Sequence, residues 1–257
     1  MSQPVTARFG FAAFILAALI AAVAVAGVRL GWLAYAQGWQ LMVPAVALEL
    51  GALAFSLLWL GRALKANDGA GRGFGLTVLL GSLLLLYPPL TTVFNRLTSP
   101  PIHDVTTDTE NPPRFVALLK QRGPGSNLPA YDGHAIVSFQ GKTVTLDEVL
   151  HDHYRDILKP HAGFAVGSSD PIATFFRRDL AAARKTGWTI VDFNAQEGRI
   201  EATHTSFWFG RVSDIVIMIR RSGAGARTDL RSQSREDKID DGFNAANAKY
   251  FFSFLAS

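Results

Sequence analysis

Three apolar runs fill residues 9–28, 41–61 and 74–94, and they constrain this chain more than any other feature. The second is interrupted only by Glu49, and the third carries Pro88-Pro89 near its end. Each run is about 20 residues long. As a helix rising about 1.5 Å per residue, it crosses a hydrocarbon core of about 30 Å. Lipid leaves no other way for an open segment to satisfy its backbone N–H and C=O groups. The sequence therefore divides into a membrane region, residues 1–98, and a water-soluble region, residues 99–257.

Charge follows the same division. Arg8, Arg29, Arg62, Lys65, Arg72 and Arg96, against Glu49 and Asp68, account for the whole net charge of +4. The region from Ser99 onward is formally neutral, so the basic balance does not mark a nucleic-acid-binding face. The absence of cysteine excludes disulfides, thiolate metal sites and a cysteine nucleophile.

The basic residues predict an orientation. Arg62, Lys65 and Arg72 crowd the second loop and Arg8 the N-terminal tail. The first loop has Arg29 beside Trp32, Tyr35 and Trp39, which suit a membrane interface. The N-terminus and second loop are expected in the cytoplasm, and three spans carry residues 99–257 across. In a Gram-negative cell this is a multi-pass inner-membrane protein with a periplasmic domain. Arg96 is a minor counter-signal. Ala24-Val25-Ala26 resembles a signal-peptide processing site, but the run is long for one, so a retained anchor is expected.

Glu49 is the one acid within a span. An intramembrane carboxylate faces a partner or a wet cavity. It could serve a small transporter subunit as an ion or proton site. The apolar runs contain no second acid or base for a relay, which favours a helix interface among Gly51, Ala52 and Ala54. Pro88-Pro89 is expected to shape the exit of the third helix.

Beyond Ser99, Pro100, Pro101, Pro112 and Pro113 predict an extended connector. A short helix is expected at 114–122 and another at 145–158. Asp170-Pro171 reads as an N-cap and first turn, opening a helix closed by Gly187. Strands are expected at 188–193, 198–206, 214–220 and 226–235, the third central because Ile215 to Ile219 is apolar on both faces. A last helix spans 244–255. The fold class is α-helical membrane spans followed by an α+β domain, a four-stranded antiparallel meander flanked by helices.

The motifs within this domain carry a resemblance. Gly187-Trp188-Thr189-Ile190-Val191, Glu197-Gly198-Arg199-Ile200-Glu201-Ala202-Thr203, Phe207-Trp208-Phe209-Gly210 and Asp214-Ile215-Val216-Ile217 are similar to the bacterial and plastid family called domain of unknown function 1499. So are Arg231-Ser232-Gln233-Ser234-Arg235, Asp240, Gly242 and Asn244-Ala245. Upstream, Ile102-His103-Asp104, Asp108, Asn111-Pro112-Pro113 and His153-Tyr154-Arg155-Asp156-Ile157 resemble its entry segment and its Tyr-Pro-Asp-Ile segment. Arg155 stands in place of the usual Pro, Ser213 in place of the first of two Asp, and 236–239 departs from a Gly-containing turn. The resemblance implies a membrane-associated bacterial protein and brings no established activity.

Candidate chemistry is sparse. Glu148 and His151 lie three apart, as half of a carboxylate–histidine metal site would, with Asp152, His153 and His161 nearby. His153 cannot share that helical face, and zinc needs three convergent ligands, so no metal site is expected. Alternation places Asp229, Arg231, Gln233 and Arg235 on one strand face. Such a row could grip a carboxylate, phosphate or lipid headgroup. It could equally pair with Asp214, Glu201, Asp240 or Asp241 and hold the last helix to the sheet, which is the favoured reading. Asn244 is expected to cap or begin that helix. Phe207-Trp208-Phe209 is either core or an aromatic edge near the membrane. There is no nucleophile elbow, phosphate loop or dinucleotide fingerprint, so no cofactor is called for.

The leading expectation is a non-enzymatic protein whose domain binds an envelope protein or amphipathic ligand. The candidate contacts are Arg231, Gln233, Arg235, Asp214, Asp240, Asn244 and Trp208. The alternatives are an envelope hydrolase or transferase using His151, His153 or the arginine row, and the transporter subunit using Glu49.

Overall fold

The computed structural model describes residues 5–158, 161–163 and 170–255. Its contacts divide the chain into two compact units: Met1–Phe94 with Phe207–Gly210, and Asn95–Ser206 with Arg211–Ser257.

The first unit holds α1 (Val5–Arg29), α2 (Tyr35–Lys65) and most of α3 (Gly69–Thr98). All three are long and apolar enough to cross a membrane, with mean hydropathies of 2.7, 2.0 and 1.7. They extend beyond the apolar runs because their polar flanks also favour helix. The helices approach closely where side chains are small. A Cβ on Gly81 of α3 would come within 2.7 Å of the Phe14 ring of α1. Trp59 of α2 donates its indole N–H to the Gly71 carbonyl of α3 at 3.0 Å.

Pro88-Pro89 does not end the third helix, which runs on to Thr98. Thr91 and Thr92 both donate their hydroxyls to the Pro88 carbonyl, at 2.9 and 3.0 Å. The prolines themselves withdraw the N–H groups that the Leu84 and Leu85 carbonyls would accept, a loss that neighbouring helices make tolerable.

The second unit is built on an antiparallel sheet. Its strands are β1 (Asp104–Thr106), β4 (His161–Gly163), β5 (Thr189–Asn194), β6 (Arg199–Thr205), β7 (Val212–Ser222) and β8 (Gly225–Ser234). A separate hairpin comprises β2 (Ile136–Phe139) and β3 (Lys142–Thr145). The sheet order is β1-β8-β7-β6-β5, with the short β4 also paired to β8. The expected meander is present in sequence order, but its path has five strands rather than four. The fifth, β1, is three residues long within the proline-rich connector. It is a strand only because Asp104, Val105 and Thr106 pair with Gln233, Ser232 and Arg231.

β7 is central, as its two-sided apolarity predicts, with Ile215, Val216 and Ile217 fully buried. On one face of the sheet, Ile200, Ala202, Ile215, Ile217 and Leu230 join a core with Phe175, Phe176, Trp188, Ala248 and Phe251. The helices of this face are α5 (Pro171–Lys185) and α6 (Phe243–Ser253). Asp170 caps α5 by accepting the Ala173 N–H at 3.1 Å. Gly198, at φ +68°, leads into β6, and a Cβ there would collide with the Ile219 carbonyl oxygen.

The expected helix at 145–158 is shorter, α4 (Leu146–His153). Thr145 and Glu148 form a capping box: the Glu148 carboxylate accepts the Thr145 N–H at 2.7 Å, and the Thr145 hydroxyl accepts the Glu148 N–H at 3.3 Å. Tyr154 and Ile157, which continue the apolar spacing, are buried beyond the helix end. The segment expected as a helix at 114–122 is a 3-10 helix, Ala117–Gln121.

Candidate functional site: a buried charge layer on the sheet

Strand alternation sends Asp104, Asp214, Glu201, Arg231, Gln233 and Arg235 to the sheet face opposite α5 and α6. Residues 107–131 lie over this face. The pairing is specific. Arg231, 1 % exposed, meets Asp104 through two parallel N–H···O bonds of 2.9 and 2.6 Å. Gln233 donates to the same carboxylate at 2.9 Å and to the Leu128 carbonyl at 2.9 Å. Arg235 donates to Asp214 at 2.6 Å, and Arg122 reaches the other Asp214 oxygen at 2.9 Å. The Phe115 ring lies beneath two guanidinium groups, Arg122 at 4.7 Å and Arg231 at 4.9 Å. Such forked pairs are strong when desolvated, and each depends on its partner staying in place.

Glu201 does a different job. Its carboxylate accepts the N–H groups of Val116, Ala117 and Leu118 at 3.0, 3.1 and 2.9 Å. It thus closes the N-terminus of the 3-10 helix from across the sheet while pairing with Arg199. The donor groups of a helix start need acceptors, and here a strand supplies them.

The arginine row is therefore ion-paired, but it does not hold the last helix. Of the expected partners, only Asp214 meets the row. Glu201 binds the 3-10 helix, Asp240 caps α6, and Asp241 pairs with Arg211 at 3.0 Å. The reason is parity. Arg231, Gln233 and Arg235 point away from α6, while Ser232 and Ser234 point toward it. Ser232 donates to Asn244 at 2.7 Å and accepts from Asn247 at 3.1 Å. Asn244 also donates to Ser234 and to the His103 carbonyl, both at 3.0 Å. Asn244 is the second residue of α6, and its side chain is wholly buried. His204 continues the chain to the Asn247 side-chain oxygen at 2.7 Å.

Asp240 accepts the Gly242 and Asn244 N–H groups at 2.8 and 3.1 Å, and burial pushes its carboxyl up to about 6. Raised above the ordinary value of 3.8, it holds its proton longer when folded. Stability from this group falls as pH rises from about 4 to about 6 and is constant above. Asp240→Asn removes the dependence. Measured by urea midpoint of the intact protein in detergent, the variant is expected to gain on the wild type across that window, by up to about 3 kcal/mol.

The other candidates stand apart. His151, Asp152 and His153 are exposed on α4, with the His153 ring edge-on to Phe139 at 4.9 Å. Glu148 caps its own helix instead of turning to His151, and no group of three or more His, Asp or Glu able to hold a metal occurs among the described residues. The side chain of His161 lies outside the description. Glu49 is 2 % exposed in the first unit, and neither carboxylate oxygen has a hydrogen-bond partner among the described residues. Ser82 approaches it without hydrogen-bonding geometry. Trp208 is 43 % exposed and stands edge-on to Phe207 at 5.3 Å.

Sequence reasoning passed over Asp104, Arg122 and the capping role of Glu201. Asp104 and Arg231 are 127 residues apart, and periodicity carries no signal at that separation.

These observations define a class: three helices long and apolar enough to cross a membrane, followed by an antiparallel α+β domain with a buried charge layer. Within that class, the chain belongs to the family described as "Protein of unknown function (DUF1499)", whose model matches residues 104–255. No match is found among the curated proteins.

Proposed function

We propose that this chain is a non-enzymatic binding protein of a bacterial envelope, whose domain engages a partner protein or amphipathic ligand. The observation that carries this reading is the charge layer. Its arginines are paired with carboxylates beneath a covering segment, an arrangement suited to shaping a surface rather than to moving protons. That same segment presents Val116, Leu119 and Leu128 to solvent, Leu128 at 81 % exposure. Exposed apolar residues on a rigidly held segment suit a docking face. Among the expected contacts, Arg235 retains some side-chain exposure, Arg231, Gln233 and Asp214 support the face from within, and Asp240 and Asn244 belong to the opposite, α6 side of the sheet.

The reading places the N-terminus in the cytoplasm and the domain in the periplasm. Arg62, Lys65 and Arg72 between α2 and α3 favour it. Arg96, the counter-signal, is one basic residue against those three. The chain has no cysteine of its own, so Leu128→Cys provides a unique handle. An impermeant maleimide photocrosslinker applied to spheroplasts is expected to label it and to yield a discrete adduct. Labelling only after lysis would overturn the orientation. Adducts matching those from Lys142→Cys, an exposed position on β3, would overturn the binding reading, as would a hydrolytic activity lost on His151→Ala or His153→Ala.

A further inference from the structure

The first unit contains a cleft of about 420 Å³. That volume falls in the range of small-ligand sites, about 300–1,000 Å³. One wall is α1, where Ala18, Ala22, Ala26 and Arg29 follow at spacings that keep them on one face. From Ala18 to Arg29 the helix rises about 16 Å. This is about the depth of one leaflet of an about 30 Å hydrocarbon core. The cleft therefore follows the path of a lipid tail.

Its polarity changes along that path. Alanine leaves room along the shaft, and the one formal charge in the lining is Arg29, at the C-terminal end of α1. Trp39 and Trp208 also line it. Arg29 hydrogen-bonds the Phe207 carbonyl, so the 207–210 loop stands at the same end. Apolar shaft, cation and amphipathic rings reproduce, in order, the tail and headgroup of an anionic lipid.

We infer that this cleft seats one acyl chain of an anionic phospholipid, with its phosphate on Arg29. A free phosphate gives the apolar shaft no role, and an anionic headgroup complements the single formal charge of the lining. The site is formed by the helices and the 207–210 loop, all within the first unit, and it holds whether or not the covering segment over the sheet binds a partner.

The test uses the intact protein, reconstituted in equimolar phosphatidylglycerol and phosphatidylcholine of matched chains. Lipid retained after mild detergent extraction is counted by native mass spectrometry. The wild type is expected to retain one phosphatidylglycerol with about fivefold preference. Ala22→Phe fills the shaft and should lose the retained lipid. Arg29→Gln should retain lipid without headgroup preference, while Arg29→Lys keeps the preference and shows that folding is intact. Retention at the bulk ratio by the wild type overturns the inference. So does unchanged retention by Ala22→Phe, or displacement of phosphatidylglycerol by glycerol 1-phosphate alone.

Discussion

Replacing Asp104 by alanine is expected to cost the domain about 3–5 kcal/mol, the usual result of leaving one member of a buried ion pair without its partner. Arg231 is 1 % exposed, so water cannot take over the two bonds it loses. Gln233 loses an acceptor in the same change. Part of the penalty comes from stranding the guanidinium, so Asp104→Leu combined with Arg231→Met should be milder than Asp104→Ala alone. Amide hydrogen exchange across β7 and β8 in the intact protein reads this difference. Equal protection in wild type and Asp104→Ala would mean that the pair contributes little and that packing alone holds β1 in place.

Glu201→Ala is the second large effect. It removes the acceptor for three consecutive backbone N–H groups and leaves Arg199, 5 % exposed, without its buried partner. Hydrogen bonds to a charged group contribute about 1.5–3 kcal/mol each, with losses that do not add fully. A local cost of about 3 kcal/mol would raise exchange at Val116, Ala117 and Leu118 by about a hundredfold. Glu201→Gln keeps one side-chain oxygen and should fall between. The pattern matters more than the size. Exchange should rise in 116–118 before it rises in β7, because Glu201 ties the covering segment to the sheet while Phe115, Leu118 and Val216 form a separate small core. A uniform rise over the whole domain would instead make Glu201 part of the global fold.

The elements that the sequence specified well are those with strong local codes. α5 begins at Asp170-Pro171 and ends near Gly187 because cap and turn chemistry act within a few residues. The meander from β5 to β8 follows from short alternating runs separated by turns. β7 was recognisable as central from Ile215 to Ile219 alone. The segments that were missed had no such code. β1 is three residues, and its strand character comes from β8. The β2–β3 hairpin turns on Gln140-Gly141, at φ +50° and +75°, a weaker signal than Asn-Gly in the same role. α4 stops at His153 although its apolar spacing runs on to Leu158, because burial of Tyr154 and Ile157 does not require helix.

The candidate site divides the same way. The sequence determined that Arg231, Gln233 and Arg235 share a face, since alternation is a property of the strand itself. It could not determine what that face meets. Asp104 enters from the connector, Arg122 and Phe115 from the covering segment, and Glu201 from the neighbouring strand. None of these has a fixed sequence offset from β8. The sequence by itself therefore determined the division between apolar helices and polar domain, and most elements of that domain. Those follow from hydrophobicity and short-range backbone preference. Only the tertiary structure decided that the arginine row lies under residues 107–131, away from α6. That choice depends on which segments fold back over the sheet, and it is made by contacts far apart in sequence, such as Glu201 with the backbone of 116–118, Arg122 with Asp214, and Asp104 with Arg231.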